Sequence, residues 1–88
     1  MAQVTTGTTT QPRTQTFGEK LVGLSFNPSG DALVDVVKRS HADVIDHLEQ
    51  ERQDASDRGE TLKAELFSKA IIDQLSAQMM AVKAITFK

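Results

Sequence analysis

Few side chains in this 88-residue sequence have the types and spacing that chemistry needs. His41 and His47, the only histidines, are six residues apart and fall on different faces of a helix, so they do not pair on a metal. Asp43, His47 and Glu51 recur every four residues and share a face, but in a charge-mixed stretch they read as solvated helix surface. No further ligand cluster completes a metal site. The absence of cysteine removes thiol nucleophiles, thiolate metal sites and disulfides. No Ser/His/acid set is justified by spacing, and no strand-turn-helix elbow is present. Gly23 and Gly30 make neither a dinucleotide-binding fingerprint nor a P-loop. The expectation is a protein that is not an enzyme and uses no cofactor and no metal.

One group of residues remains. Phe26-Asn27-Pro28-Ser29-Gly30 is turn chemistry, with Pro28 biasing Asn27 away from helix. Ser29 or Asp31 can cap the helix that follows, and a helix N-terminus offers unsatisfied N–H groups suited to phosphate. Lys38 and Arg39 lie about two turns further on, and Lys83 approaches from a later helix. Phe26 is one of four aromatic residues and gives a flat face on which a base can stack. Together, Phe26, Asn27, Ser29, Lys38 and Lys83 would hold a small phosphorylated nucleotide. The plainer account makes Phe26 a hydrophobic staple and the lysines solubilising charge.

Positioning these residues requires an all-α frame. Residues 1–16 are rich in Thr and Gln without periodicity and read as a disordered or loosely attached tail. Residues 17–88 read as one helical hairpin domain: a short arm or helix over 17–30, a helix over 31–55, a turn over 56–60 and a helix over 61–86. On the first long helix, Leu33, Val37, Val44 and Leu48 recur at helical spacing, widened by Val34, Val36 and Ile45. Asp57 with Glu60 fits a capping box for the second. That helix carries two apolar stripes. Phe67, Ile71, Leu75, Val82 and Ile85 form one, and Leu66, Ala70, Ala77, Met80, Ala81 and Ala84 form its neighbour. One hairpin cannot bury both, so a homo-oligomer built by packing second helices together is expected. Antiparallel pairing about a tip near Asp57 sets Lys38 opposite Leu75 to Ser76, and the Phe26 turn near Val82 to Ile85.

Charge is unevenly spread. Residues 41–60 carry seven acids and two arginines, and both flanks are mildly basic. The hairpin brings those flanks to one pole, but no concentrated basic face exists, which argues against a DNA or RNA polymer as partner. No apolar run approaches the ~20 residues of a membrane span, and no apolar signal core precedes the domain. A soluble, cytoplasmic protein is expected.

Phe26-Asn27-Pro28-Ser29-Gly30, then Val36-Val37-Lys38, then Ala77-Gln78-Met79-Met80-Ala81-Val82-Lys83-Ala84-Ile85-Thr86 resemble the phage hairpin-domain family. That family contains the anti-CBASS cyclic-dinucleotide sponges and the Thoeris anti-defence sponges. The resemblance spans roughly residues 17–88, and the short hairpin without added strands is similar to the anti-CBASS branch. It implies a homohexamer of dimers that sequesters cyclic di- or trinucleotide immune signals in the host cytoplasm without cleaving them. It further implies that Phe26 stacks on a base and Lys38 contacts phosphate. Ser40 and Lys69 would line a separate cyclic-trinucleotide site. The family's stacking residue is typically tyrosine; Phe26 keeps the face but lacks the hydroxyl. The alternative is a structural or adaptor hairpin whose oligomer surface binds a protein.

Overall fold

The computed structural model describes residues 14–88, and the expected tail lies outside the described residues up to position 13. The described residues are all-helical: α1 (Phe17–Val22), α2 (Ala32–Asp57) and α3 (Thr61–Thr86). The two long helices pack along each other, and α1 lies across α2. No helix among the described residues is long and apolar enough to cross a membrane.

Six residues with a glycine among them do not form a helix on propensity alone. The ends of α1 hold it. Thr16 accepts from the Glu19 amide at 3.2 Å, and Glu19 accepts from the Thr16 amide at 2.9 Å, a capping box. Gly23 closes the helix at φ +66°, a left-handed position that suits glycine. Docking completes the account. Gly18 is buried against α2 and donates its amide to Asp46 Oδ1 at 2.7 Å. A Cβ on Gly18 would stand 2.3 Å from the Ala42 carbonyl oxygen, so only glycine permits this approach. Glu19 is 2% exposed and pairs with Arg39 at 2.5 Å.

Asp31, not Ser29, caps α2, accepting from the Leu33 amide at 2.8 Å. The capping box expected at Asp57 and Glu60 does not form. α2 runs on through Asp57, and its last carbonyls take the loop donors: Gly59 N–H to Ser56 O at 3.0 Å and Glu60 N–H to Ala55 O at 2.9 Å. Glu60 becomes the N-cap of α3 without a side-chain bond and pairs with Arg58 at 2.9 Å instead.

The core gathers Val22, Ala42, Ile45 and Ile71, flanked by Leu21, Leu24 and Leu48. The buried line of α2 runs Val34, Lys38, Ala42, Ile45, Ala55, rotated from the apolar stripe expected there. Leu33, Val36 and Val44 are exposed. The cause is α1, which covers the Ala42 and Asp46 side of α2 and turns the other flank outward. On α3, Ile71 is buried and Phe67, Leu75, Val82 and Ile85 are half-buried. Leu66 and Met80, from the neighbouring stripe, remain exposed within the single chain.

Candidate ligand site

Lys38 sits on the buried line of α2 and is 6% exposed. It reaches the loop between α1 and α2, donating to Gly23 O at 3.0 Å and to Phe26 O. That loop is wound tightly, with Phe26 N–H on Gly23 O at 2.9 Å, so its carbonyls turn inward to meet the lysine. An ammonium has three N–H donors, and two carbonyls leave one free. Lys38 pairs with no carboxylate among the described residues. A buried cation without a counter-charge is costly and is best satisfied by an anion.

The Phe26 ring stands 5.7 Å from the Lys38 ammonium, within cation–π range. Its face is open: Phe26 is 68% exposed, so it is not a buried staple. Two clefts border this pair and share Phe26, Lys38 and Val82. The outer cleft, about 270 Å³, adds the Asn27 to Ser29 turn, Val34 and Thr86. The inner cleft, about 410 Å³, lies between α1 and α3 and adds Lys20, Leu21, Val22, Leu75, Gln78 and Met79.

Asn27 and Ser29 line the outer cleft, but their polar atoms serve the turn. The Asn27 amide donates to Asp31 O at 2.9 Å and Asp35 Oδ1 at 3.1 Å. Ser29 donates to Asn27 Oδ1 at 2.7 Å and accepts from the Asp31 amide at 3.1 Å. The open helix end expected to receive phosphate is absent. Asp31 occupies the N-terminus of α2 with its own carboxylate, and Asp35 adds a second in the first turn. Both repel an anion at the helix end, which leaves Lys38 at both clefts and Lys20 at the inner one as the lining cations.

The other candidates lie apart. Lys83 is exposed on the last turns of α3, although its neighbour Val82 lines both clefts. Ser40 donates to Val36 O at 3.0 Å within α2. It lines a shallow depression with Leu24, Asp35, Val36 and Arg39. Lys69 pairs with Asp73 at 2.6 Å on the solvent side of α3. In a hairpin turning at Arg58 to Glu60, Ser40 and Lys69 stand about nine residues out of level, roughly 13 Å along the axis. One chain therefore does not join them in one site. Lys38, Leu75, Gln78 and Val82 line one cleft, and the turn lies beyond Asp57, which moves the level of Lys38 on α3 a few residues past the expected Leu75 to Ser76.

Lys20, Gln78 and Thr86 escaped the sequence reading. Gln78 had a signal: it is the polar gap in the stripe Ile71, Leu75, Val82, at the position where a helix facing α2 calls for an apolar residue. His41 bonds Val37 O at 2.8 Å, and no group of three or more His, Cys, Asp or Glu among the described residues could hold a metal. Compared with known proteins, the chain matches no family model, no curated protein and no solved structure.

Proposed function

We propose that this chain binds cyclic oligonucleotide signals at Phe26 and Lys38 and sequesters them without cleavage, so that host defence signalling stays silent. The observation that carries this is Lys38, a buried residue without a carboxylate partner among the described residues, beside an open aromatic face and lining two clefts. The free N–H of Lys38 suits a bridging phosphate, and Phe26 suits a stacked base. A cyclic dinucleotide carries two bases on one phosphodiester ring, matching two clefts that share one cation. The resemblance to the phage anti-CBASS sponges points the same way. Among the described residues no histidine or carboxylate lines either cleft to act as a general base, which favours holding over hydrolysis. A homo-oligomer, a hexamer of dimers by that resemblance, would cover the exposed Leu62, Leu66 and Met80 of α3.

Equilibrium dialysis against a panel of cyclic di- and trinucleotides, followed by chromatography of the recovered ligand, tests the proposal. Micromolar or tighter binding with intact ligand returned is expected. No binding to any member of the panel would overturn it.

A second reading rests on the same exposed α3 side chains: an adaptor hairpin that docks a protein there. It predicts an oligomer that captures a protein and binds no nucleotide, and the dialysis separates the two.

A further inference from the structure

Lys20 and Lys38 line the inner cleft together, and no carboxylate among the described residues lines it. In a chain of net charge −2, that is a local surplus of positive charge. Neither lysine has a carboxylate partner among the described residues. Glu19, the acid next to Lys20 in sequence, is 2% exposed and pairs with Arg39 instead. A further group in the same cleft also lacks a partner. Gln78 is 3% exposed, and its carboxamide has no hydrogen-bond partner among the described residues. Buried polar groups are nearly always paired, and one that is not calls for an explanation. Phosphate oxygens supply acceptors for the ammonium groups and for the amide N–H donors alike.

The two lysines are not equivalent. Lys38 borders both clefts and commits two of its three donors to the carbonyls of Gly23 and Phe26. Lys20 is exposed on α1 and borders the inner cleft alone. A single phosphate on Lys38, which the clefts share, leaves Lys20 unmatched. We infer that Lys20 is a second phosphate contact, so that the site favours ligands with two separate phosphates over those with one. The inference rests on the sequestration function proposed above and adds to it a binding residue and a charge requirement. The other account of Lys20 is a charge that complements the C-terminal end of α1, a role that no ligand would sense.

The full chain is titrated by calorimetry with cyclic di-adenylate and cyclic di-guanylate. The linear dinucleoside monophosphates ApA and GpG, which keep both bases but one phosphate, are titrated beside them. Lys20→Met should bind the cyclic dinucleotides at least about ten-fold more weakly than wild type, the scale of one hydrogen bond to a charged group. Its affinity for the linear monophosphates should be unchanged. Lys20→Arg, which keeps the charge, should retain most of the wild-type affinity. Lys63→Met removes an exposed charge from the first turn of α3, away from the clefts, and should leave every affinity unchanged. Equal affinity of Lys20→Met and wild type for the cyclic dinucleotides, or an equal loss for the linear monophosphates, would overturn the inference and leave the sequestration proposal standing. The linear dinucleotide pApA, with two phosphates and no ring, is titrated in parallel. Binding of pApA that depends on Lys20, with neither cyclic dinucleotide bound, would overturn the sequestration of cyclic dinucleotides and support the two-phosphate cleft. No binding of any of these ligands overturns the inference.

Discussion

Replacing Gly18 by alanine sets two opposed effects against each other. Helix propensity favours alanine by about 0.5–1 kcal/mol in a helix interior. The packing opposes it, because the new methyl would stand 2.3 Å from the Ala42 carbonyl oxygen, 3.0 Å from its carbon and 2.9 Å from Asp46 Oδ1. The Asp46 side chain can swing away, but it then gives up the Gly18 amide it accepts at 2.7 Å. The Ala42 carbonyl is α2 backbone and cannot yield, so α1 must lift. Overpacking of this kind costs about 1–3 kcal/mol, and losing a hydrogen bond to a charged group costs about 1.5–3 kcal/mol. The steric terms win, for a net loss of roughly 2 kcal/mol or more. For a domain of this size each kcal/mol shifts Tm by about 4–8 °C, so a fall of about 10 °C is expected in thermal melts followed by circular dichroism. Ala42→Gly should not rescue it, because the clash is with backbone. Ligand affinity should fall as well, since Leu21 and Val22 of α1 wall the inner cleft. A Tm equal to or above wild type would refute the claim that α1 docks through Gly18.

Ile45 is fully buried, so Ile45→Ala should cost about 2–5 kcal/mol, read as a lower denaturant midpoint at unchanged m-value. Asp31→Ala removes the side-chain cap of α2 and should cost about 0.5–2 kcal/mol in the same assay. Glu49 accepts two 2.7 Å hydrogen bonds from Arg52 and one from Gln53, which hold its carboxyl below the ordinary glutamate range despite partial burial. A depressed folded pKa gives stability that is present above the unfolded value, about 4.3, and lost as pH falls through the folded one. Acid melts should therefore show Tm dropping below about pH 4, and Glu49→Gln should flatten that part of the profile.

The two long helices were legible because their apolar periodicity is strong and Pro28 and Gly59 punctuate it. α1 was not, because its helicity comes from a three-residue reciprocal cap and from a glycine contact with α2 that lies 28 positions along the chain. Periodicity showed that α2 has an apolar stripe but not which flank α1 covers. Leu33, Val36 and Val44 therefore looked like core, while Ala42, too small to stand out, lies at its centre. Turn chemistry located Phe26, but the occupation of the α2 N-terminus by Asp31 depended on which of two candidate caps won. The burial of Lys38 depends on the loop wrapping over it, a tertiary fact that no local spacing encodes. Lys69 and Ser40 came from resemblance alone, and a single chain holds them apart.

The most direct test of the central claim is a calorimetric titration of cyclic dinucleotide into wild type and Lys38→Met side by side. Methionine keeps the volume of the buried stem and removes the charge. The wild type should bind at micromolar Kd or tighter, and Lys38→Met should bind at least about ten-fold more weakly, a loss of about 1.4 kcal/mol, with its oligomer mass unchanged. Equal affinity in the two proteins, or no heat from the wild type, would contradict the assignment of Lys38 as the phosphate contact.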